Sequence, residues 1–121
     1  MTPNELAHEL VAGCREGRAK QNLDMLYAPD AVSVEAADMG NGRETHGLAG
    51  IHGKHDWWES TQIVHSASVE GPFMNGDSSF AVIFDMDTED KTSGQRREMR
   101  EVAIYHVADG KITREEFFYG S

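Results

Sequence analysis

Between Arg96 and Gly120, two runs rich in Val, Ile, Tyr and Phe flank Ala108-Asp109-Gly110-Lys111. Asp-Gly between such runs specifies a hairpin, because glycine takes the positive φ of a tight turn without steric cost. Alternation assigns the faces. Met99, Glu101, Ala103, Tyr105 and Val107 share one side of the first run, and Val102, Ile104 and His106 the other. In the second run Thr113, Glu115, Phe117 and Tyr119 oppose Ile112, Arg114, Glu116 and Phe118. Both faces carry apolar groups, so both are expected to be covered. One face also sets carboxylates beside aromatic rings, the composition of a polar-ended pocket.

The chain before this hairpin reads as helices first and strands after. Thr2-Pro3-Asn4-Glu5 is a helix start, with a capping hydroxyl, proline at the first helical position and an acid in the first turn. Leu6, Leu10, Val11 and Cys14 follow at helical spacing, and Gly17 closes or kinks the helix. A short helix from about Ala19 to Leu26 turns Leu23, Leu26 and Tyr27 inward, and Ala28-Pro29-Asp30 breaks it. Ala31 to Ala36 alternates as a strand, with Ser33 and Glu35 opposite Val32 and Val34. Asp38 to Gly47, with three glycines and Asn41, is a loop.

From Leu48 to about Ile63 the helical pattern returns, with Leu48, Ile51, His55, Trp58 and Gln62 on one stripe. Ser66 to Val69 is a strand that Gly71-Pro72 ends or bends. Asn75-Gly76-Asp77 is a hairpin turn. In the next strand Phe80, Val82, Phe84 and Met86 alternate with Ala81, Ile83, Asp85 and Asp87, and Ser93-Gly94 turns into the final hairpin. Helices followed by a run of strands predict an α+β layer fold, with the helices on one side of an antiparallel sheet. Residues 1–121 form a single domain, with no repeat and no linker to divide it.

A net charge of −10 argues against nucleic acid and anionic membranes as partners, since both select a basic surface. The single cysteine, Cys14, excludes an internal disulfide and fits a reducing compartment. No signal-peptide core and no apolar run near the ~20 residues of a membrane span is present, so a cytoplasmic protein is expected. There is no Gly-x-Ser-x-Gly, no phosphate loop (Gly50 to Lys54 lacks its pattern) and no Gly-x-Gly-x-x-Gly. The six histidines include His46, His52 and His55 close together, yet no His-Glu-x-x-His spacing and no Cys pair occurs, so neither metal nor cofactor is expected.

Several motifs together resemble the SnoaL-like proteins of the nuclear transport factor 2-like superfamily. They are Leu26-Tyr27-Ala28-Pro29-Asp30-Ala31-Val32, His46-Gly47 before Ile51, and Asp77 to Phe84. Tyr105 to Lys111 and Phe117-Phe118-Tyr119-Gly120 complete the set. His55-Asp56-Trp57-Trp58, His65-Ser66 and Val69-Glu70-Gly71-Pro72 are similar to one uncharacterised SnoaL-like subgroup. The resemblance implies a cone-shaped α+β fold of the ketosteroid isomerase-like, cystatin-like roll type. In it a curved antiparallel sheet wraps around the third helix. A pocket lies inside the cone, and the convex face pairs two subunits. One cone hosts isomerases, cyclases, dehydratases and binding modules, so fold alone does not choose among them.

The same resemblance places Glu35 where ketosteroid isomerase carries its general-base carboxylate, suited to removing a proton beside a carbonyl. The isomerase's two oxyanion donors correspond to about Val11 and Ala103, whose side chains cannot donate, so steroid isomerisation by that route is not expected. Tyr105, His55 or a Trp indole N–H would have to polarise the carbonyl instead. Trp58, Phe84, Met99, Glu101, Glu115, Phe117 and Tyr119 are the expected pocket lining. Opposed to this, Trp57 and Trp58 fill the cone, and Glu101 and Glu115 serve only to hold the sheet together. The sequence therefore supports two main readings, beside a third in which a purely structural domain fills its pocket with its own Trp, Phe and Met side chains. One is a general acid–base enzyme acting on a small apolar or aromatic carbonyl compound. The other is a non-catalytic ligand-binding or dimerising module of the same fold.

Overall fold

The computed structural model describes residues 1–38, 40 and 42–119. Asn41 of the expected loop and Gly120 of the final motif lie outside the described residues. The elements run α1 (Pro3–Glu16), α2 (Ala19–Leu26), β1 (Tyr27–Val34), β2 (Glu44–His46) and α3 (Leu48–Thr61). Then come β3 (Gln62–Asn75), β4 (Ser79–Asp90), β5 (Arg96–Ala108) and β6 (Lys111–Tyr119). The strands form one curved, unclosed sheet in the order β2-β1-β6-β5-β4-β3. It is antiparallel except between β1 and β6, which run parallel and are separated in the chain by α3 and four strands.

Local chemistry explains the helix ends. Thr2 accepts from the Glu5 amide at 3.1 Å while Glu5 Oε1 accepts from the Thr2 amide at 2.8 Å, a complete capping box. Gly17 closes α1 in the left-handed conformation at φ 75°. Leu6, Ala7, Leu10 and Val11 from α1 meet Leu23 and Leu26 of α2, Ile51 of α3 and the strand residues Phe80, Val82, Ala103, Tyr105 and Ile112. This core occupies the concave side of the sheet.

Four strand expectations change. β1 begins at Tyr27, ahead of Pro29. Proline is tolerated there because the pairing with β6 is irregular between Tyr27 and Val32. Glu44 to His46, expected as loop, pairs with Val34 to Val32 as the edge strand β2. β3 runs through Gly71-Pro72 to Asn75, absorbing the interruption in a bulge between Glu70 and Phe73. Its residues face solvent or the rim, so no hydrophobic alternation announces its full length. In β6, a bulge at Thr113 pairs Ile112 with Val107, and Ile112 is fully buried rather than sharing the outer face of Arg114 and Phe118.

β4 and β5 keep the expected faces. Phe80, Val82, Ala103 and Tyr105 are buried inside. Outside, Asp85 pairs with Arg100 at 2.6 Å and Asp87 with Arg96 at 2.8 Å. On α3 only Ile51 is fully buried, and Leu48, His55 and Trp58 are half-buried. Trp57 is 61% exposed and does not fill the cone. No helix among the described residues is long and apolar enough to cross a membrane.

Candidate functional site

The register lines up the expected pocket residues in rows across the concave face. Ser33, Glu115, Tyr105 and Phe80 form one row from β1 to β4. Phe117, Ala103 and Val82 form the next, and Tyr119, Glu101 and Phe84 the one beyond. Glu101 is therefore flanked by two aromatic residues.

Glu115 is buried, and two hydroxyls satisfy its carboxylate. Tyr27 donates to Oε1, and Ser33 donates to Oε2 at 3.0 Å. Ser33 is in turn the acceptor for Lys54 Nζ at 2.7 Å. Lys54 also forms an ion pair with Glu35, and its ammonium stands 5.4 Å from the centroid of the Phe117 ring. The other Glu35 oxygen accepts from the Tyr119 hydroxyl at 3.2 Å. A continuous network thus runs Tyr27, Glu115, Ser33, Lys54, Glu35, Tyr119, and joins α3 to β1 and β6.

Three carboxylates share this face in three environments. Burial pushes Glu115 up, against the hydrogen bonds from Tyr27 and Ser33 and the charge of Lys54. Burial, then the charges of Glu35 and Glu115, push Glu101 up to about 7, with Lys54 opposing. No side chain among the described residues donates a hydrogen bond to Glu101. Burial and the neighbouring carboxylates keep the Tyr27 and Tyr105 hydroxyls protonated.

Tyr119 donates directly to Glu35, Glu115 joins them through Ser33 and Lys54, and Glu101, Phe84 and Phe117 lie alongside by register. Tyr105 lies opposite Glu115 but is 3% exposed and stacks on Phe80 at 4.9 Å, inside the core. His55 lies on the inner side of α3 without a hydrogen bond to the network, and burial lowers its pKa. Trp58 is half-buried on the same helix. Met99 lies away from the network, in an open depression of about 480 Å³ formed by residues 66–68, 85–87 and 98–100. His46 and His52 face Glu44 and Asp24, and no three metal-ligating side chains converge among the described residues.

Sequence reasoning missed Lys54 as a member of this site. It follows Ile51 by three residues and precedes Trp58 by four, so it flanks the buried stripe. That spacing was the available signal. Ser33 was legible as a neighbour of Glu35 on one strand face, and Tyr27 as an inward residue, but neither as a donor to Glu115.

A curved, unclosed sheet packed on its helices over an inward polar network is the α+β cone of the nuclear transport factor 2-like fold. The chain belongs to the SnoaL-like family: the SnoaL-like domain model matches residues 1–119. It is similar to a Mesorhizobium loti protein designated both a SnoaL-like polyketide cyclase and a carbohydrate phosphatase, with 37% identity, a TM-score of 0.91, and coverage of 98% of this chain and 100% of that one. A Pseudomonas putida protein designated a polyketide cyclase shares the fold at 21% identity and a TM-score of 0.72, covering 99% and 92%. So does a Catenulispora acidiphila protein of ketosteroid isomerase-like fold solved in complex with trimethylamine, at 18% identity and a TM-score of 0.74, covering 99% and 88%. At the latter two identities the likeness is one of fold. A search of curated proteins found no match.

Proposed function

We propose that this chain is a small-molecule enzyme that moves a proton on an apolar, carbonyl-containing compound held inside the cone. Glu35 is the base and Glu101 the acid. The observation that carries the reading is the contrast between these two carboxyls. Glu35 is held by Lys54 and Tyr119, whereas Glu101, pushed up to about 7, has no side-chain donor among the described residues. A carboxyl that keeps its proton can act as an acid beside one that is held in place by a cation and a phenol. Phe84, Phe117 and Trp58 supply apolar walls for such a compound. The designation of the Mesorhizobium loti relative as a polyketide cyclase agrees with a carbonyl-rich substrate.

A thermal-shift screen of small aromatic and aliphatic carbonyl compounds tests this on the natural chain, Glu35→Gln and Glu101→Gln. Compounds that stabilise the natural chain and respond differently to the two variants support it. Compounds that stabilise all three equally, with no turnover, support binding without catalysis.

That second reading has its own observation. Glu35 and Glu115 already have internal partners, as in a network that only shapes a pocket. The trimethylamine bound by the Catenulispora acidiphila protein is consistent with a ligand-binding role for this fold.

The chain acts as a cytoplasmic homodimer in this proposal. Its lone cysteine fits a reducing compartment. The outer face of β4–β6 carries the adjoining apolar residues Ile83, Val102 and Phe118, the last 48% exposed. A second copy covers them. The acidic charge favours neither nucleic acid nor membrane as partner.

A further inference from the structure

Removing a proton beside a carbonyl creates an enolate, whose oxyanion needs a positive partner fixed in advance. Val11 and Ala103 are buried core residues and offer no side-chain donor. Among the described residues the hydrogen-bonded network of the concave face holds one cation, Lys54. Its ammonium is positioned from three sides, by Glu35, by Ser33 at 2.7 Å and by the Phe117 ring at 5.4 Å. A four-carbon side chain anchored this way loses little further freedom when a ligand arrives.

We infer that Lys54 is the oxyanion partner of this site, and that Glu35 and Lys54 form a charge-exchanging pair that selects neutral, enolisable carbonyl compounds. The inference rests on the acid–base reading above. In the step, the Glu35 carboxylate takes the α-proton and becomes neutral. The C–H electron pair becomes the enolate, with its charge on the former carbonyl oxygen. Lys54 exchanges one anionic neighbour for another, so the total charge of network and bound compound together is unchanged. An uncompensated charge in this half-buried setting would be costly, and none is created. Return of the proton from Glu35 restores the starting ketone. Where a conjugated double bond extends the enolate, Glu101 instead delivers its proton to the γ-carbon, after which Glu35 loses a proton to solvent and Glu101 regains one. A ligand that is already anionic is disfavoured in the resting site, because Glu35 occupies Lys54.

Two probes test this by titration. 4-Nitrophenol stands in for the enolate, since its aromatic oxyanion is coloured when ionised. Acetophenone is the neutral counterpart. Glu35→Gln reproduces the charge of protonated Glu35. It is expected to bind 4-nitrophenolate at least about tenfold more tightly than the natural chain. Adding Lys54→Met to Glu35→Gln removes that gain, and adding Lys54→Arg retains most of it. Acetophenone, which brings no charge, is expected to respond less than 4-nitrophenolate does in every folded variant. Where Lys54→Met does not fold, Lys54→Gln takes its place, and the gain in Glu35→Gln alone still decides. Unchanged 4-nitrophenolate binding in Glu35→Gln, with acetophenone still bound, overturns the inference and leaves the pocket intact. A gain that survives loss of the Lys54 charge also overturns it. Failure of both probes to bind any folded variant overturns the pocket reading itself.

Discussion

The Ser33 hydroxyl donates to Glu115 Oε2 at 3.0 Å across the parallel pair of β1 and β6. Ser33 Oγ in turn accepts from Lys54, so one small side chain links a buried carboxylate to the cation on α3. Ser33→Ala therefore leaves Glu115 with a single side-chain donor, Tyr27, in a buried site. A loss of about 1–3 kcal/mol is expected. Urea unfolding should show a lower midpoint with an unchanged slope. A change within about 0.5 kcal/mol would place Ser33 among ordinary surface positions.

Glu101 gives stability a pH dependence. Its carboxyl is raised from 4.5 to about 7 in the folded chain, by burial and by Glu35 and Glu115, with Lys54 opposing. The folded state binds this proton more tightly than the unfolded state does. The contribution is fully present below pH 4.5 and is lost as pH rises through about 7. Glu115 is raised as well and acts in the same direction. At about 1.4 kcal/mol per unit, the Glu101 shift corresponds to about 3 kcal/mol. Glu101→Gln cannot ionise. It should match the natural chain at about pH 4 and exceed it by roughly 2–3 kcal/mol at about pH 8. Urea unfolding at both values measures this, and an equal difference at both would remove the coupling.

Phe118 lies opposite Val102 on the outer face, nearly half exposed, with Ile83 beyond. In the proposed homodimer a charge at this position is buried without a partner. Phe118→Glu should weaken association by about 2 kcal/mol or more while leaving the monomer folded. Sedimentation against concentration is the check. A natural chain that stays monomeric at every concentration would contradict the dimer.

The capping box predicts a local effect. Thr2→Ala removes the acceptor for the Glu5 amide and should cost about 0.5–2 kcal/mol. Thr2→Ser should restore most of it. Thermal unfolding of the three chains measures the difference, and equal melting temperatures would mean the cap frays in solution.

Much of this architecture was readable because local and tertiary demands agreed. Thr2 and Glu5 announced α1. Asp109 at φ 52° and Gly110 at φ 76° form the turn that their sequence specifies. Phe80, Val82, Ala103 and Tyr105 alternated as a buried strand pair must. Where the sequence misled, a long-range partner had decided. Glu44 to His46 becomes a strand only because β1 offers an edge. Ile112 turns inward only because Thr113 bulges out of the ladder. β3 is an exposed edge strand, so Ile63, Val64, Phe73 and Met74 stay near the surface and leave no alternating signature. The carboxylates of the site were legible on their strand faces. Lys54 was not, because a half-buried lysine is justified only by Glu35, Ser33 and Phe117, which lie on β1, its end and β6.

The most direct measurement is a carbon-13 NMR titration of the glutamate side-chain carboxyls, with Glu101 assigned by comparison with Glu101→Gln. A midpoint near 7 for Glu101 is predicted, set by its burial beside Glu35 and Glu115. A midpoint near 4.5 would mean that Glu101 is an ordinary solvated carboxylate, and would contradict its place as the acid of this site.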